Sequence, residues 1–112
     1  MKTRLTRQFE RIIYTWPQVT RGITFDDHIE YQVAKYSFAL LSVANEDLLL
    51  LHQVTPEERL ELTEKFGASS DTRYKQESRL WWCIPINEET LPKLIPYVRL
   101  CYDRVLESIS KK

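Results

Sequence analysis

Basic and aromatic residues alternate in one short stretch of the sequence, and this stretch has the clearest chemical potential. It reads RYKQESRLW and contains Arg73, Tyr74, Lys75, Arg79 and Trp81. Cationic side chains bind phosphates, and aromatic rings beside them stack on nucleobases or fix a loop. The pattern therefore predicts a contact surface for nucleic acid. Asp71 and Glu77 reduce its positive charge, and a solvated loop above a packed Trp81 would explain the same residues.

A second cluster contains residue types that bind metals. It consists of Asp26, Asp27, His28 and Glu30. Along a strand, His28 and Glu30 would share a face, so that one cation could bridge them. A turn that begins a strand explains the cluster equally well, and we predict no metal site.

Residues suited to nucleophilic catalysis are few. The sequence holds two cysteines, Cys83 and Cys101, and two histidines, His28 and His52, and no spacing among them indicates a catalytic triad. With only two glycines, the chain cannot form a glycine-rich nucleotide loop or a nucleophile elbow. We therefore expect no enzyme and no cofactor, and we expect the cysteines to be reduced core residues.

Composition points to a single globular domain over residues 1–112. Apolar residues make up 43% and charged residues 29% of the chain, while 16 basic and 16 acidic side chains give a net charge of zero. The N-terminal stretch has no uninterrupted apolar segment, and the longest apolar runs, such as Leu48–Leu51, are far too short for a membrane span. We expect a cytoplasmic protein that does not contact membranes.

A small set of elements must position the candidate residues. Apolar spacing predicts a first helix over residues 3–16, which ends at Pro17. Alternation predicts strands over residues 28–33, 36–43 and 48–54. Thr55-Pro56-Glu57-Glu58 predicts a capped helix that ends at Gly67.

The C-terminal third completes the predicted fold with a strand over residues 79–87 and a helix after Asn87. Pro96 is expected to kink that helix or delay its start. The order α-β-β-β-α-β-α predicts an α+β two-layer sandwich, with an antiparallel sheet and the helices on one face. Alternation places Leu80, Trp82, Ile84 and Ile86 under the helices. Trp81, Cys83 and Pro85 then lie on the opposite face, where Tyr36 or Phe38 would join Trp81.

Six features occur together in an order that covers nearly the whole chain. They are Trp16-Pro17-Gln18-Val19-Thr20, Phe25-Asp26-Asp27-His28, the stretch AKYSFALL at residues 34–41, Thr55-Pro56-Glu57-Glu58, the spacing of Tyr74 and Trp81, and Cys101-Tyr102. This combination resembles the MmcQ/YjbR family, small bacterial domains with a fold similar to frataxin and CyaY. The resemblance implies a CyaY-like fold and, through two β-rich wings, DNA binding without an established activity.

Two departures from the family pattern lie in the basic stretch. Ser78 and Leu80 stand where the family often has a Lys and a His. Iron binding in the frataxin-like fold is associated with an acidic first helix, whereas Arg4, Arg7 and Arg11 make this one basic.

We therefore expect a non-catalytic DNA-binding protein that uses Arg73, Tyr74, Lys75, Arg79 and Trp81. The alternative is a module that binds a protein or a small ligand, or forms a homodimer, through the open sheet face around Trp81. Phosphate contacts weaken steeply with added salt and apolar contacts do not, so salt dependence separates the two.

Overall fold

Three helices and six strands form the part of the chain that the computed structural model describes, residues 4–23, 28–42, 48–70 and 81–110. In chain order they are α1 (Arg4–Ile13), β1 (Val19–Ile23), β2 (His28–Val33), β3 (Tyr36–Ser42), β4 (Leu48–Leu51), α2 (Pro56–Phe66), β5 (Ser69–Ser70), β6 (Trp82–Pro85) and α3 (Leu91–Ser110). The strands make one antiparallel sheet in the order β1-β2-β3-β4-β6-β5. The predicted α+β class is confirmed.

The predicted order of elements lacked β1 and the two-residue β5. β1 contains Arg21 and Gly22, so its alternation is weak, and Gln18 enters it with a φ of 63°. The strand is defined by its partner: Val19 lies opposite Val33 and Ile23 opposite Ile29. The strand predicted to end at residue 54 ends at Leu51, where β4 is followed by a bend.

The main core lies between the helices and one face of the sheet. Ile29, Tyr31 and Val33 of β2 face it, as their alternation predicts, and α1 adds Phe9 and Ile13. From β6 the same face receives Ile84, followed by Ile86, with Trp82 packed against them. The predicted division of this strand between the two faces is confirmed for Trp82, Ile84 and Ile86 on this face and for Cys83 on the other.

A β-bulge in β3 overturns one neighbour predicted for Trp81. Tyr31 pairs with Ala39 but Gln32 pairs with Ser37, which leaves Phe38 as the extra residue. Phe38 therefore packs in the main core beside Ala39, although strict alternation would place them on opposite faces. Its ring meets Tyr102 edge-on at 5.6 Å, on the helix side of the sheet and not beside Trp81.

The ends of α2 follow the sequence signals closely. The Thr55 side chain accepts a hydrogen bond from the Glu58 amide, and the Glu58 carboxylate accepts one from the Thr55 amide, so the predicted capping box is present. Gly67 ends the helix in a left-handed conformation with φ of 70°. In α3, Pro96 lies inside a helix that continues to Ser110.

Candidate functional site

The basic segment, defined here as residues 71–80, lies outside the described residues, and with it Arg73, Tyr74, Lys75, Ser78, Arg79 and Leu80. Its two ends are described. Ser69 pairs with Cys83 and Ser70 pairs with Trp82, so β5 and β6 are antiparallel neighbours. The chain therefore leaves the sheet after Ser70 and returns to it at Trp82, the residue that pairs with Ser70.

Trp81 is buried on the sheet face opposite the helices, with only 4% of its surface exposed. It belongs to a small cluster with Leu40, Leu50 and Cys83, which confirms its predicted face. The ring of His52 meets the Trp81 ring edge-on at 4.4 Å, and His52 Nε2 lies 3.1 Å from the Ser37 carbonyl. Since almost no ring surface is open, the contribution of Trp81 is to hold the chain where it re-enters the sheet.

A cation from α2 lies at this same edge. Arg59 Cζ lies 5.7 Å from the centroid of the Trp82 ring. Arg59 Nε and Trp82 Nε1 are both buried, and neither has a hydrogen-bond partner in the part of the chain that the structure describes. Nothing in the sequence distinguishes this arginine from the other basic residues, and our sequence analysis did not select it.

Glu58, the residue before Arg59, attaches α2 to α3. Glu58 Oε1 and Oε2 each accept a hydrogen bond of 2.6 Å from Arg104 of α3, whose Nη1 also donates to the Gln53 carbonyl at 2.6 Å. The hydrogen bonds from Arg104 hold the pKa of Glu58 below its usual value, and the same contact raises the pKa of Arg104. This bidentate pair anchors the start of α2 to α3.

His52 also lines a small pocket, where the last turns of α3 meet the start of β3. Its volume is about 90 Å³, and the residues that line it include Tyr36, Ser37, His52, Val105, Ser108 and Ile109. Its lining combines residues with polar groups, among them Ser37, His52 and Ser108, with the apolar Val105 and Ile109. A pocket of this size holds a few water molecules or a ligand of a few heavy atoms.

The residues considered for catalysis are placed apart from one another. Cys101 Sγ donates to the Gln53 carbonyl at 3.6 Å, and burial raises the pKa of its thiol to about 12. Cys83 is buried on the opposite face of the sheet, and both cysteines are reduced core residues, as predicted. Asp26, Asp27 and the side chain of His28 lie outside the described residues.

Glu10 forms a buried polar contact that links the first helix to two strands. Its Oε2 accepts a hydrogen bond of 2.7 Å from the Tyr31 hydroxyl and lies 3.7 Å from Arg21 Nη1. Burial, the largest cause, and this hydrogen bond raise the pKa of Tyr31. The contact joins α1 to β1 and β2, at the edge of the sheet far from the basic segment.

Comparisons with protein families, with curated proteins and with solved structures give no match for this chain. Within the described residues, no helix is both long and apolar enough to cross a membrane. The described residues thus define an α+β sandwich in which the antiparallel pair β5 and β6 forms one edge of the sheet.

Proposed function

We propose that the chain is a non-catalytic, cytoplasmic DNA-binding protein of the bacterial MmcQ/YjbR type. The basic segment would make the contact, with Arg73, Lys75 and Arg79 on phosphates and Tyr74 beside them. The pairing of Ser70 with Trp82 carries this proposal, because it fixes both ends of the segment at one sheet edge. Trp81 would act as the buried anchor of the returning strand.

Anchoring matters because the segment is only weakly basic. It holds three cations and two acids, Asp71 and Glu77, so a freely moving chain would gain little from phosphate contacts. With both ends tied to paired strands, a ten-residue connection extends at most about 17 Å from the sheet. The three cations are thereby confined to a region whose width is comparable to a few phosphate spacings on one face of a duplex.

The test is fluorescence anisotropy with a labelled random-sequence duplex and the matching single strand, at several salt concentrations between about 50 and 200 mM. We expect binding that weakens steeply with salt. Replacing the three cations of the basic segment by Gln should lower the salt slope by up to about 2.7, at about 0.9 for each phosphate that is no longer neutralised.

A matched control removes the same charge elsewhere. Arg7, Arg11 and Lys93 are exposed and belong to α1 and α3, outside the basic segment. Their triple Gln variant should keep the wild-type salt slope. Absence of binding at low salt, or equal decreases of affinity in the two triple variants, would contradict the proposal.

A second candidate function is small-ligand binding, and the pocket beside His52 favours it. The partner-protein and homodimer versions of this alternative would need an accessible Trp81 ring, whereas the ring is buried. The pocket instead suits a small polar molecule. Titration of small polar compounds, monitored by the NMR signals of His52, should then give salt-independent shifts, and Ser108→Trp, which fills the pocket, should abolish them.

A further inference from the structure

The strand β1 forms one edge of the sheet and pairs on one side only. Its partner is β2, and no other strand in the described part of the chain pairs with it. Thr20 and Arg21, in the middle of the strand, are exposed. Gly22 is partly exposed, and because glycine has no side chain, this exposure belongs to the main chain of the edge. An accessible edge strand is a template on which a further strand can pair.

The hairpin between β2 and β3 fixes the direction of the hydrogen-bonding groups in β2. Ala34 and Lys35 have φ of 51° and 75°, the positive values that a two-residue type I′ turn requires at both central positions. Val33 and Tyr36, which flank this turn, therefore form a hydrogen-bonded pair. The N–H and C=O groups of Val33 consequently point to β3 and away from β1.

The register of β1 then shows which of its residues direct these groups outward. Val19 lies opposite Val33, so this pair is not hydrogen-bonded, and the groups of Val19 point away from the sheet. The same orientation recurs at every second residue, at Arg21 and Ile23, whereas the two residues between them bond to β2. An added strand therefore finds donors and acceptors on three residues, of which Arg21 is the central one.

Arg21 also sets the charge of this edge. Its side chain lies on the helix side of the sheet, because Arg21 is opposite the buried Tyr31, and it is 34% exposed. Its Nη1 lies 3.7 Å from Glu10 Oε2, which is longer than a hydrogen bond. Since a guanidinium has five N–H donors, this contact leaves donors for a second carboxylate.

The same arginine disfavours a second copy of the chain as the added strand. Two β1 strands related by a two-fold axis use all three outward residues only when the two Arg21 side chains lie directly opposite each other. Like charges in this position destabilise a pair of strands, whereas opposite charges stabilise it. The edge is therefore suited to an extended segment that carries a carboxylate at its centre.

We infer that the outer edge of β1 binds an extended segment of a partner protein, which adds a strand to the sheet and places a Glu or Asp opposite Arg21. The inference uses no residue of the basic segment, and β2, β3 and β4 lie between β1 and β6. It is therefore independent of the proposed function, and each can fail without the other.

The experiment titrates the isotope-labelled full chain with the blocked peptide Thr-Val-Thr-Glu-Thr-Val-Thr and follows the backbone amide signals by NMR. The amides of Val19, Arg21 and Ile23 should shift and exchange more slowly with solvent, while the two amides between them, already bonded to β2, should change less. This alternation distinguishes strand addition from an attachment by charge alone. The same peptide with Lys at its centre should bind about five-fold more weakly.

Two arginine variants test the charge preference. Arg21→Gln should bind the Glu and Lys peptides equally, whereas Arg99→Gln should keep the preference for Glu, because Arg99 is a partly exposed arginine of α3 that is likewise paired with one carboxylate. The alternation is measured on the wild-type protein, so it does not depend on how the variants fold.

Three results would overturn the inference. They are shifts in β1 without the alternation, equal affinity of the wild-type protein for the two peptides, and β1 signals that respond to protein concentration or to duplex DNA but not to the Glu peptide. A response to protein concentration alone would assign the edge to a second copy of the chain.

Discussion

Removing either partner of the Glu58–Arg104 pair should destabilise the fold strongly. Only 14% of the Glu58 side chain and 29% of the Arg104 side chain are exposed, so solvent screens the pair weakly. Each hydrogen bond to a charged group contributes about 1.5 kcal/mol or more. The two bonds of 2.6 Å therefore predict a coupling free energy of about 2–3 kcal/mol between the two side chains.

Each single substitution removes more than this coupling. Glu58→Ala also removes the carboxylate half of the capping box, and Arg104→Ala also removes the bond to the Gln53 carbonyl. We expect each to lower the free energy of unfolding by about 3–4 kcal/mol. For a chain of 112 residues, 1 kcal/mol corresponds to about 4 °C in Tm, so the expected decrease is about 12–16 °C.

The assay is urea unfolding of the wild-type protein, Glu58→Ala, Arg104→Ala and the double variant, analysed as a double-mutant cycle. A coupling below about 0.5 kcal/mol would refute the reasoning, because it would place the pair with ordinary surface ion pairs.

The pH dependence gives a second check on the same pair. Hydrogen bonds from Arg104, the largest cause, hold the pKa of Glu58 below its ordinary value of 4.5. The carboxylate thus stabilises the fold above that pH, and this contribution is lost as pH falls through the lower folded-state pKa. The difference in stability between wild type and Glu58→Gln should shrink over that acidic range, and a constant difference would contradict the assignment.

Three further predictions follow from the described core and turns. Trp81→Ala should lower the free energy of unfolding by about 3–5 kcal/mol in urea, because it removes the largest side chain of the buried cluster on the sheet face opposite the helices; a decrease below about 1 kcal/mol would show that the ring is not a buried anchor. Gly67→Ala should lower the free energy of unfolding by about 1 kcal/mol, followed by thermal unfolding. A Cβ at this position meets no atom within 4 Å, so only the left-handed φ of 70° makes the substitution unfavourable. The thiols of Cys83 and Cys101 should resist a thiol reagent near neutral pH until denaturant is added, and rapid labelling of the native protein would disagree with their burial.

Local signals predicted the elements that they define. The Thr55–Glu58 capping box and the left-handed Gly67 need only neighbouring residues, and both ends of α2 are where the sequence places them. The alternation of Ile29, Tyr31 and Val33 likewise reports one buried sheet face. These features suffice for the α+β class.

Contacts between distant segments decided what the sequence did not predict. β1 becomes a strand because Val19 and Ile23 pair with β2, and no local pattern of its own requires this. The bulge at Phe38 depends on a register shift against β2, and it moves an aromatic ring to the other face. The burial of Glu10 likewise depends on distant residues, because its partners, Tyr31 and Arg21, come from other elements.

For the candidate site, too, local spacing predicted one feature of Trp81, and contacts with other strands decided another. Spacing predicted the face of Trp81, because alternation in β6 is regular from Trp82 to Ile86. It could not predict that the ring would be buried, since this depends on Leu40 and Leu50 from two other strands. The role of Trp81 therefore changes from a stacking surface to an anchor.

The consecutive residues Glu58 and Arg59 explain how an unsatisfied buried donor is tolerated at this edge. Side chains of consecutive helical residues diverge by about 100°, so α2 can contact α3 through Glu58 and β6 through Arg59 at the same level. The bonds from Arg104 fix the helix, and the helix in turn holds Arg59 over Trp82 even though Arg59 Nε finds no acceptor among the described groups. Two consecutive residues thus do different work: Glu58 orients α2 against α3, and the orientation of α2 sets the position of Arg59 over β6.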